Sequence, residues 1–370
     1  MAEALKDGFG PDVAVWVADR VGEAHPGFDR DGFLRDALEG FDALELTGRA
    51  RAIAAALGRH LPADFAVTAD VIGRALGPEL PRDTVEGAGM EVFRYLPYVY
   101  LVAERGLGHF EESMALQHAL TRRFTAEFSI RAFIEAHPEA TLARLADWAR
   151  DPSPHVRRLV SEGTRPRLPW APRLRALQAD PSPVLPLLEA LRDDPAEYVR
   201  RSVANNLNDI SKDHPAVTLE VCRRWMEDAG PERRALVRHA LRTLSRAGDP
   251  EALAMLGFGG GTPRVTGVSL DPPDPRVGES VRLTCTVAND GPGPTRALVH
   301  ATVHFVKARG TGAKTFILGE RDIPAGGSAE LRTTVSLRQH TTRTHRPGTH
   351  RVEVRINGAV AAETAFELAD

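Results

Sequence analysis

The chain has 370 residues, 42% hydrophobic and 26% charged, with a formal net charge of −3. That length and balance describe a folded protein of two or more domains, neither disordered nor fibrous. Only Cys222 and Cys285 are present, which excludes a disulfide scaffold and a four-cysteine zinc site. No apolar run approaches the roughly 20 residues that span a bilayer. The opening MAEALKDGFG carries acids and no apolar stretch, so no secretory signal is expected and the reading is of a soluble intracellular protein.

The first two-thirds read as helices. Phe33, Leu34, Ala37, Leu38 and Phe41 recur at helical spacing, and Leu44 to Leu57, Phe110 to Arg123 and Pro138 to Arg150 continue the pattern. A repeat follows. Asp151-Pro152 precedes Val156-Arg157-Arg158, and Asp194-Pro195 precedes Val199-Arg200-Arg201, 43 residues later. Asp as N-cap with Pro at the first helical position predicts a helix start at each. A less regular copy runs from Pro231 to Leu244, with Val237 following Val199 by 38 residues. Helical pairs at about 40–47 residues are the signature of HEAT-type repeats, which stack into a solenoid with a concave binding surface.

The helical pattern stops at Gly257-Phe258-Gly259-Gly260-Gly261, read as a flexible break. Beyond it, Ser280 to Ala288, Val299 to Val306, Ala329 to Leu337, His350 to Ile356 and Ala359 to Leu368 are Val- and Thr-rich, separated by turn clusters such as Asn289 to Gly293. Short alternating strands over 264–370 predict a small β-sandwich of immunoglobulin type. The expected division is a helical-repeat domain over 1–261 and an all-β Ig-like domain over 262–370.

Charge is unevenly spread. Residues 1–104 hold 10 Lys or Arg against 18 Asp or Glu, a net −8. Residues 150–175 hold seven arginines against Asp151 and Glu162, a net +5. Such asymmetry suits a protein that meets a polyanion with one face. Only four of the 47 basic residues are Lys (Lys6, Lys212, Lys307, Lys314), so the clustering of the cations says more than their type.

The stretch FTAEFSIRAFIEAHPEATLARLADW, continued by ARDPSPHVRRLVSEGTRPRLPWAPRL, resembles the HEAT-like-repeat DNA glycosylases of alkylation repair, the AlkC branch. HVRRLVSEGTRPRLPW (155–170) carries most of the specificity, with further agreement in FDALELTGRARAIAAAL upstream and RRSVANNLNDISKDHP downstream. The Ig-like module fits too, since some members of this branch append one. The resemblance implies hydrolysis of the N-glycosidic bond of cationic alkylated bases (N3-methylcytosine, N1-methyladenine, N3-methyladenine) in duplex DNA, leaving an abasic site. A cationic base is a good leaving group and the sugar develops oxocarbenium character. The protein must supply negative charge, orient a water and hold the nucleotide. No metal or cofactor is implied, no lyase step, no membrane and no obligate protein partner; a monomer acting on the bacterial chromosome in the cytoplasm is expected.

Candidate residues follow from the motif. Glu162 lies one turn beyond Arg158, just before Gly163; the spacing alone equally describes a surface ion pair, and the motif makes Glu162 the central carboxylate. Glu127 and Asp209 sit near expected helix ends, where acids often serve as caps; the motif places them beside the lesion. Three converging carboxylates would be costly without a cationic substrate. Trp170, in a segment where Pro166 and Pro169 exclude a regular helix, could fill a core or press its ring on sugar or base, and the motif makes it a site residue of the second kind. Trp16, Trp148 and Trp225 are expected in the core. Arg157, Arg158, Arg165 and Arg201 are expected along the groove as phosphate contacts. Residues 338–351 hold four arginines and three histidines with no acid, and His340, Arg343, His345 and Arg346 are expected to lie on the DNA backbone. Histidines spaced by five, or His300 and His304 on one strand, are poor zinc ligands. Two other readings compete: a HEAT scaffold for proteins, and a non-catalytic binder of bent or branched DNA.

Overall fold

Apolar residues at three- and four-residue spacing make the N-terminal two-thirds helical. The computed structural model describes residues 5–81, 89–258, 261–339 and 344–370. These fall into two compact units, bounded as residues 1–213 with 230–239, and 214–229 with 240–370.

The first unit opens with α1 (Pro11–Ala24), α2 (Arg30–Leu38), α3 (Leu46–His60), α4 (Phe65–Ala75) and α5 (Leu96–Arg105). It continues with α6 (Phe110–Thr121), α7 (Glu127–Ala136), α8 (Pro138–Trp148), α9 (Pro154–Gly163), the short α10 (Arg175–Ala179), α11 (Leu185–Leu191) and α12 (Glu197–Ile210). Helix α13 (Pro215–Met226) belongs to the second unit, whereas α14 (Pro231–Ala240), all but its last residue, belongs to the first. Proline at the first position of α8 and α9 starts each without forfeiting a hydrogen bond. Helix α1 buries one stripe of Val13, Ala14, Val17, Ala18 and Val21, α5 is buried all round from Leu96 to Val102, and α12 buries Val199, Val203, Leu207 and Ile210 together with polar residues of the site. Helix α9 packs against both α7 and α12. Gly163 permits the first approach, because a Cβ there would stand 2.6 Å from Ile130 Cγ2.

The second unit joins α13, α15 (Arg242–Ala247) and α16 (Pro250–Met255) to seven strands: β1 (Arg264–Asp271), β2 (Ser280–Ala288), β3 (Thr295–Val306), β4 (Thr311–Ile323), β5 (Ser328–Ser336), β6 (Gly348–Ile356) and β7 (Ala359–Leu368). Two antiparallel sheets, ordered β1-β2-β5 and β4-β3-β6-β7, form the sandwich. Val281, Leu283, Cys285 and Val287 share its core with Val299, Ala301, Val303, Phe305, Val352 and Val354. The helical-then-sandwich class expected from the sequence is the one observed. Two strands were not anticipated, β1 and β4, each an edge of its sheet and neither with a fully buried face along most of its length. The described part of the expected flexible break is ordered. Phe258 is buried and Arg296 lies over its ring at 4.9 Å, while residues 259–260 lie outside the described residues.

Candidate active site

The repeat seen in the sequence has a structural counterpart. Asp151 Oδ1 accepts from Ser153 N at 2.7 Å, and Asp194 Oδ1 accepts from Ala196 N at 2.9 Å. The first arginine of each pair then reaches back: Arg157 Nη1 donates to Asp151 O at 2.8 Å and Arg200 Nη1 to Asp194 O at 2.6 Å. The aspartates therefore close an Asx-type turn ahead of the helix instead of capping it. The N-caps are Ser153 and Ala196, because in the first copy the second proline, Pro154, takes the helix start. Arg157 also grips Asp194 of the next copy through Nε at 2.5 Å and Nη2 at 3.0 Å. A guanidinium so engaged links repeats, and the phosphate contact expected of Arg157 would require that link to open.

The three acids of the motif come together as one ladder, interleaved with cations. Glu127, the first residue of α7, accepts from Thr125 Oγ1 at 3.1 Å and from Arg158 Nη1 at 3.2 Å, both at Oε2. Arg158 Nη2 lies 3.5 Å from Glu162 Oε1. That oxygen also accepts from Arg165 Nη1 at 2.7 Å, and Arg165 Nε donates to Asp209 Oδ2 at 2.8 Å. Lys212 Nζ completes the row, 2.9 Å from Asp209 Oδ1. Glu162 is 5% exposed and Asp209 1%, so these are buried charges that stand only because they are paired. The acids are thus balanced by Arg158, Arg165 and Lys212, and the expectation that only a cationic substrate could offset them is corrected. Arg165, expected on a phosphate, is itself buried and spent on two carboxylates.

Burial pushes the Glu127 carboxyl above the ordinary glutamate value, and the neighbouring charge of Glu162 adds to it against Arg158. Burial acts the same way on Glu162, but Arg158, Arg165 and the Ser202 hydroxyl outweigh it and hold that carboxyl below the ordinary value. Of the two carboxyls, Glu162 is therefore the one whose ionised form its neighbours favour.

The segment after α9 is pinned from beneath. Arg131 of α7, buried, donates through Nη1 to Gly163 O at 3.1 Å and to Arg165 O at 2.6 Å, and through Nη2 to Pro172 O. Burial pulls the Arg131 pKa down to about 10. Between these anchors Trp170 is 63% exposed with a left-handed φ of 64°. A bulky residue held there stores about 1–3 kcal/mol of backbone strain, which clusters at functional sites. Trp148 and Trp225 are core residues, and Trp16 is half-buried against Tyr95 at 5.3 Å.

The remaining candidates divide. Arg201 is exposed, without an ion pair among the described residues, and lines a 530 Å³ cleft between α12 and α14 with Glu197, Ala204, Leu236 and His239. In the second unit His340 and Arg343 lie outside the described residues. Arg346 is exposed. His345, expected on DNA, is 3% exposed with its ring 5.1 Å from that of Phe305. His350 is likewise buried, stacked on Phe366 at 5.0 Å. An imidazole is apolar enough in its body to serve as sandwich core, which the sequence does not distinguish from a solvated one. His304 Nε2 meets Glu353 Oε1 at 3.0 Å. Among the described residues no group of three His, Cys, Asp or Glu is placed to hold a metal, and no helix is long and apolar enough to cross a membrane.

Four members of the site escaped the sequence reading: Ser202, Tyr198, Arg131 and Lys212. Ser202 Oγ donates to Glu162 Oε2 at 2.6 Å, the Tyr198 ring supports Arg158 at 5.0 Å, and Arg131 holds the loop. Lys212 had a signal, being one of four lysines; Ser202 had none, since its partner is 40 residues away.

A family model described as "Uncharacterised protein YhaZ, C-terminal Ig-like domain" matches residues 264–370. The chain is 34% identical over 367 residues to the uncharacterised protein YhaZ of Bacillus subtilis (strain 168), covering 98% of this chain and 99% of that one. A solved structure of Pseudomonas fluorescens alkylpurine DNA glycosylase AlkC, bound to DNA containing an abasic site analog, superposes with a TM-score of 0.90 at 34% identity, with 100% of each chain covered.

Proposed function

The chain belongs to the AlkC branch of HEAT-like-repeat DNA glycosylases that carry a C-terminal Ig-like domain, and on that premise we propose that it is a DNA alkylation-repair glycosylase. The reading extends to cationic bases: it cleaves the N-glycosidic bond of N3-methylcytosine, N1-methyladenine and N3-methyladenine in duplex DNA and leaves an abasic site. The observation that carries it is the buried ladder in which Glu162 is kept ionised between Arg158 and Arg165, on the segment that also presents the strained, exposed Trp170.

The chemistry asks little more. As the bond from C1′ to the cationic base lengthens, positive charge moves onto the sugar. A preorganised carboxylate stabilises that charge and orients the attacking water. In this reading Glu162 is that carboxylate, Glu127 and Asp209 hold the arginines that fix it, and Trp170 places its ring on the nucleotide. Arg158, held between Glu127 and Glu162, fixes the carboxylate and is not free for the phosphate contact expected of it, while Arg201 meets the backbone, with Arg346 doing so from the Ig-like domain. Lys212 is committed to Asp209, which supports simple hydrolysis without a lyase step. The protein is read as working alone, as a monomer.

Single-turnover base release from duplexes holding one N3-methylcytosine or one N3-methyladenine tests this, wild type beside Glu162→Gln. Release by the wild type with a loss of about 10²–10⁴-fold in the variant is the expected result. Binding of the duplex without release from any of these lesions would leave a non-catalytic DNA binder instead.

A further inference from the structure

Glu162 has both carboxylate oxygens occupied, and from different directions. Oε1 takes Arg165 at 2.7 Å and Arg158 at 3.5 Å, both supplied by its own helix and the turn after it. Oε2 takes a 2.6 Å hydrogen bond from Ser202 Oγ on α12. Ser202 is 2% exposed. A serine inside a helix usually turns its hydroxyl back to a carbonyl of the preceding turn; here it crosses to a carboxylate on a neighbouring helix.

The repeat register sharpens the point. Stepping 43 residues back from Ser202 gives Leu159, and stepping 38 forward gives Ala240. A position that is apolar in the other two copies carries a hydroxyl in the one copy that faces Glu162. Leu159 and Ala240 are both buried, so this is an inward position where a polar group is retained only if it finds a partner. A donor to the charged form of a carboxyl favours that form and fixes its orientation. The two arginines cannot do this alone, because both address the same oxygen.

We propose that Ser202 is a positioning residue for Glu162, holding its carboxylate ionised and in one orientation before the substrate arrives. This rests on the glycosylase reading for its catalytic consequence, although the bond itself does not. The other charged and titratable groups facing Glu162 are Arg158 and Arg165, Glu127 from α7 and Tyr198 from α12, with Asp209 and Lys212 joined to it through Arg165. The remaining helices packed on α9 commit charges elsewhere: His118 to Asp151, Arg144 to Glu111 and Glu189 to Arg192. Among the described residues Ser202 is thus the one neutral donor on a carboxylate otherwise set by charges.

The test is a carbon-13 titration of the glutamate side-chain carboxyls in the full chain, with Glu162 assigned by its loss in Glu162→Gln. It is run for wild type, Ser202→Ala and Ser202→Thr, beside the pH profile of single-turnover base release. In Ser202→Ala the Glu162 titration moves up by about one pH unit, the worth of a hydrogen bond to a charged group. The acid limb of the rate profile moves with it, while affinity for a duplex holding an abasic-site analogue stays within about twofold. Ser202→Thr, which keeps the hydroxyl, restores both positions. A carboxyl titration and an acid limb that stay put in Ser202→Ala overturn the proposal. So does an equal loss in Ser202→Thr, which would mean that packing and not the hydroxyl matters. A shifted carboxyl in a protein that releases no base overturns the glycosylase reading and Ser202's catalytic part together, and leaves the bond as a structural one.

Discussion

The guanidinium of Arg158 lies over the ring of Tyr198, its Cζ 5.0 Å from the ring centroid. From that seat it reaches Glu127 at 3.2 Å and Glu162 at 3.5 Å. The ring closes one face of the guanidinium, so Arg158 can bridge two acids but cannot swing away from them. A cation–π contact of this kind is worth about 0.5–2 kcal/mol. Tyr198→Leu therefore lowers single-turnover base release by about 2- to 30-fold, whereas Tyr198→Phe, which keeps the ring, stays near wild type. Equal losses in the two variants would assign the effect to the hydroxyl instead.

The two glutamates of the ladder predict opposite dependences of stability on pH. The Glu162 carboxyl lies below the ordinary 4.5 in the fold. Its contribution is therefore fully present above that value and is lost as pH falls through the lower folded one. Glu127 is raised, so its contribution is present below the ordinary value and is lost as pH rises through the folded one. At pH 7, Glu162→Gln should destabilise by about 1–3 kcal/mol and Glu127→Gln by less. Urea midpoints at pH 7 and pH 3.5 check this: the gap between wild type and Glu162→Gln must narrow at the lower pH. A gap that widens there would reverse the assignment of which carboxyl is held ionised.

What was legible in the sequence was periodicity and sign. The Asp151 and Asp194 turns repeat because their sequences repeat, and Arg158 and Glu162 share a face because a four-residue spacing does so on a helix, while Arg165 reaches Glu162 from the turn after α9. What was not legible was which charges turn inward. Arg165 and Arg201 look alike along the chain, yet one is buried between two acids and the other is exposed. The same blindness hid His345 and His350, whose rings fill the sandwich. Long-range partners carry no local signal, which is why Ser202, Tyr198 and the anchoring Arg131 surfaced only once α7, α9 and α12 were packed together. Strands β1 and β4 were missed because few of their residues are fully buried, so no apolar face marks them along the chain.

Trp170 separates stability from function. Its ring is 63% exposed, so removing it forfeits little packing, and its φ of 64° penalises any side chain. Trp170→Gly relieves about 1–2 kcal/mol of left-handed strain and should melt no lower than wild type, with Trp170→Ala below it. Both variants should nevertheless bind a duplex carrying an abasic-site analogue about tenfold more weakly, the scale of one lost aromatic contact to a nucleotide. A variant that loses stability but not affinity would make Trp170 a packing residue after all.

Arg157 and Arg201 give the sharpest contrast for the DNA-facing surface, because they stand at neighbouring repeat positions and do different things. Arg201 is exposed and lacks an ion pair among the described residues, on the rim of the cleft between α12 and α14. If it neutralises one phosphate, Arg201→Ala lowers the magnitude of the slope of log affinity against log salt by about one, on damaged and undamaged duplex alike, with the melting temperature unchanged. Arg157 holds Asp194 of the next repeat and the Asp151 carbonyl. Arg157→Ala therefore leaves Asp194 buried without its cation, which lowers the melting temperature by several degrees while the salt slope stays put. The same slope change in both variants would mean that the link between Arg157 and Asp194 opens on binding. No change in either would move the phosphate track off this face of α12.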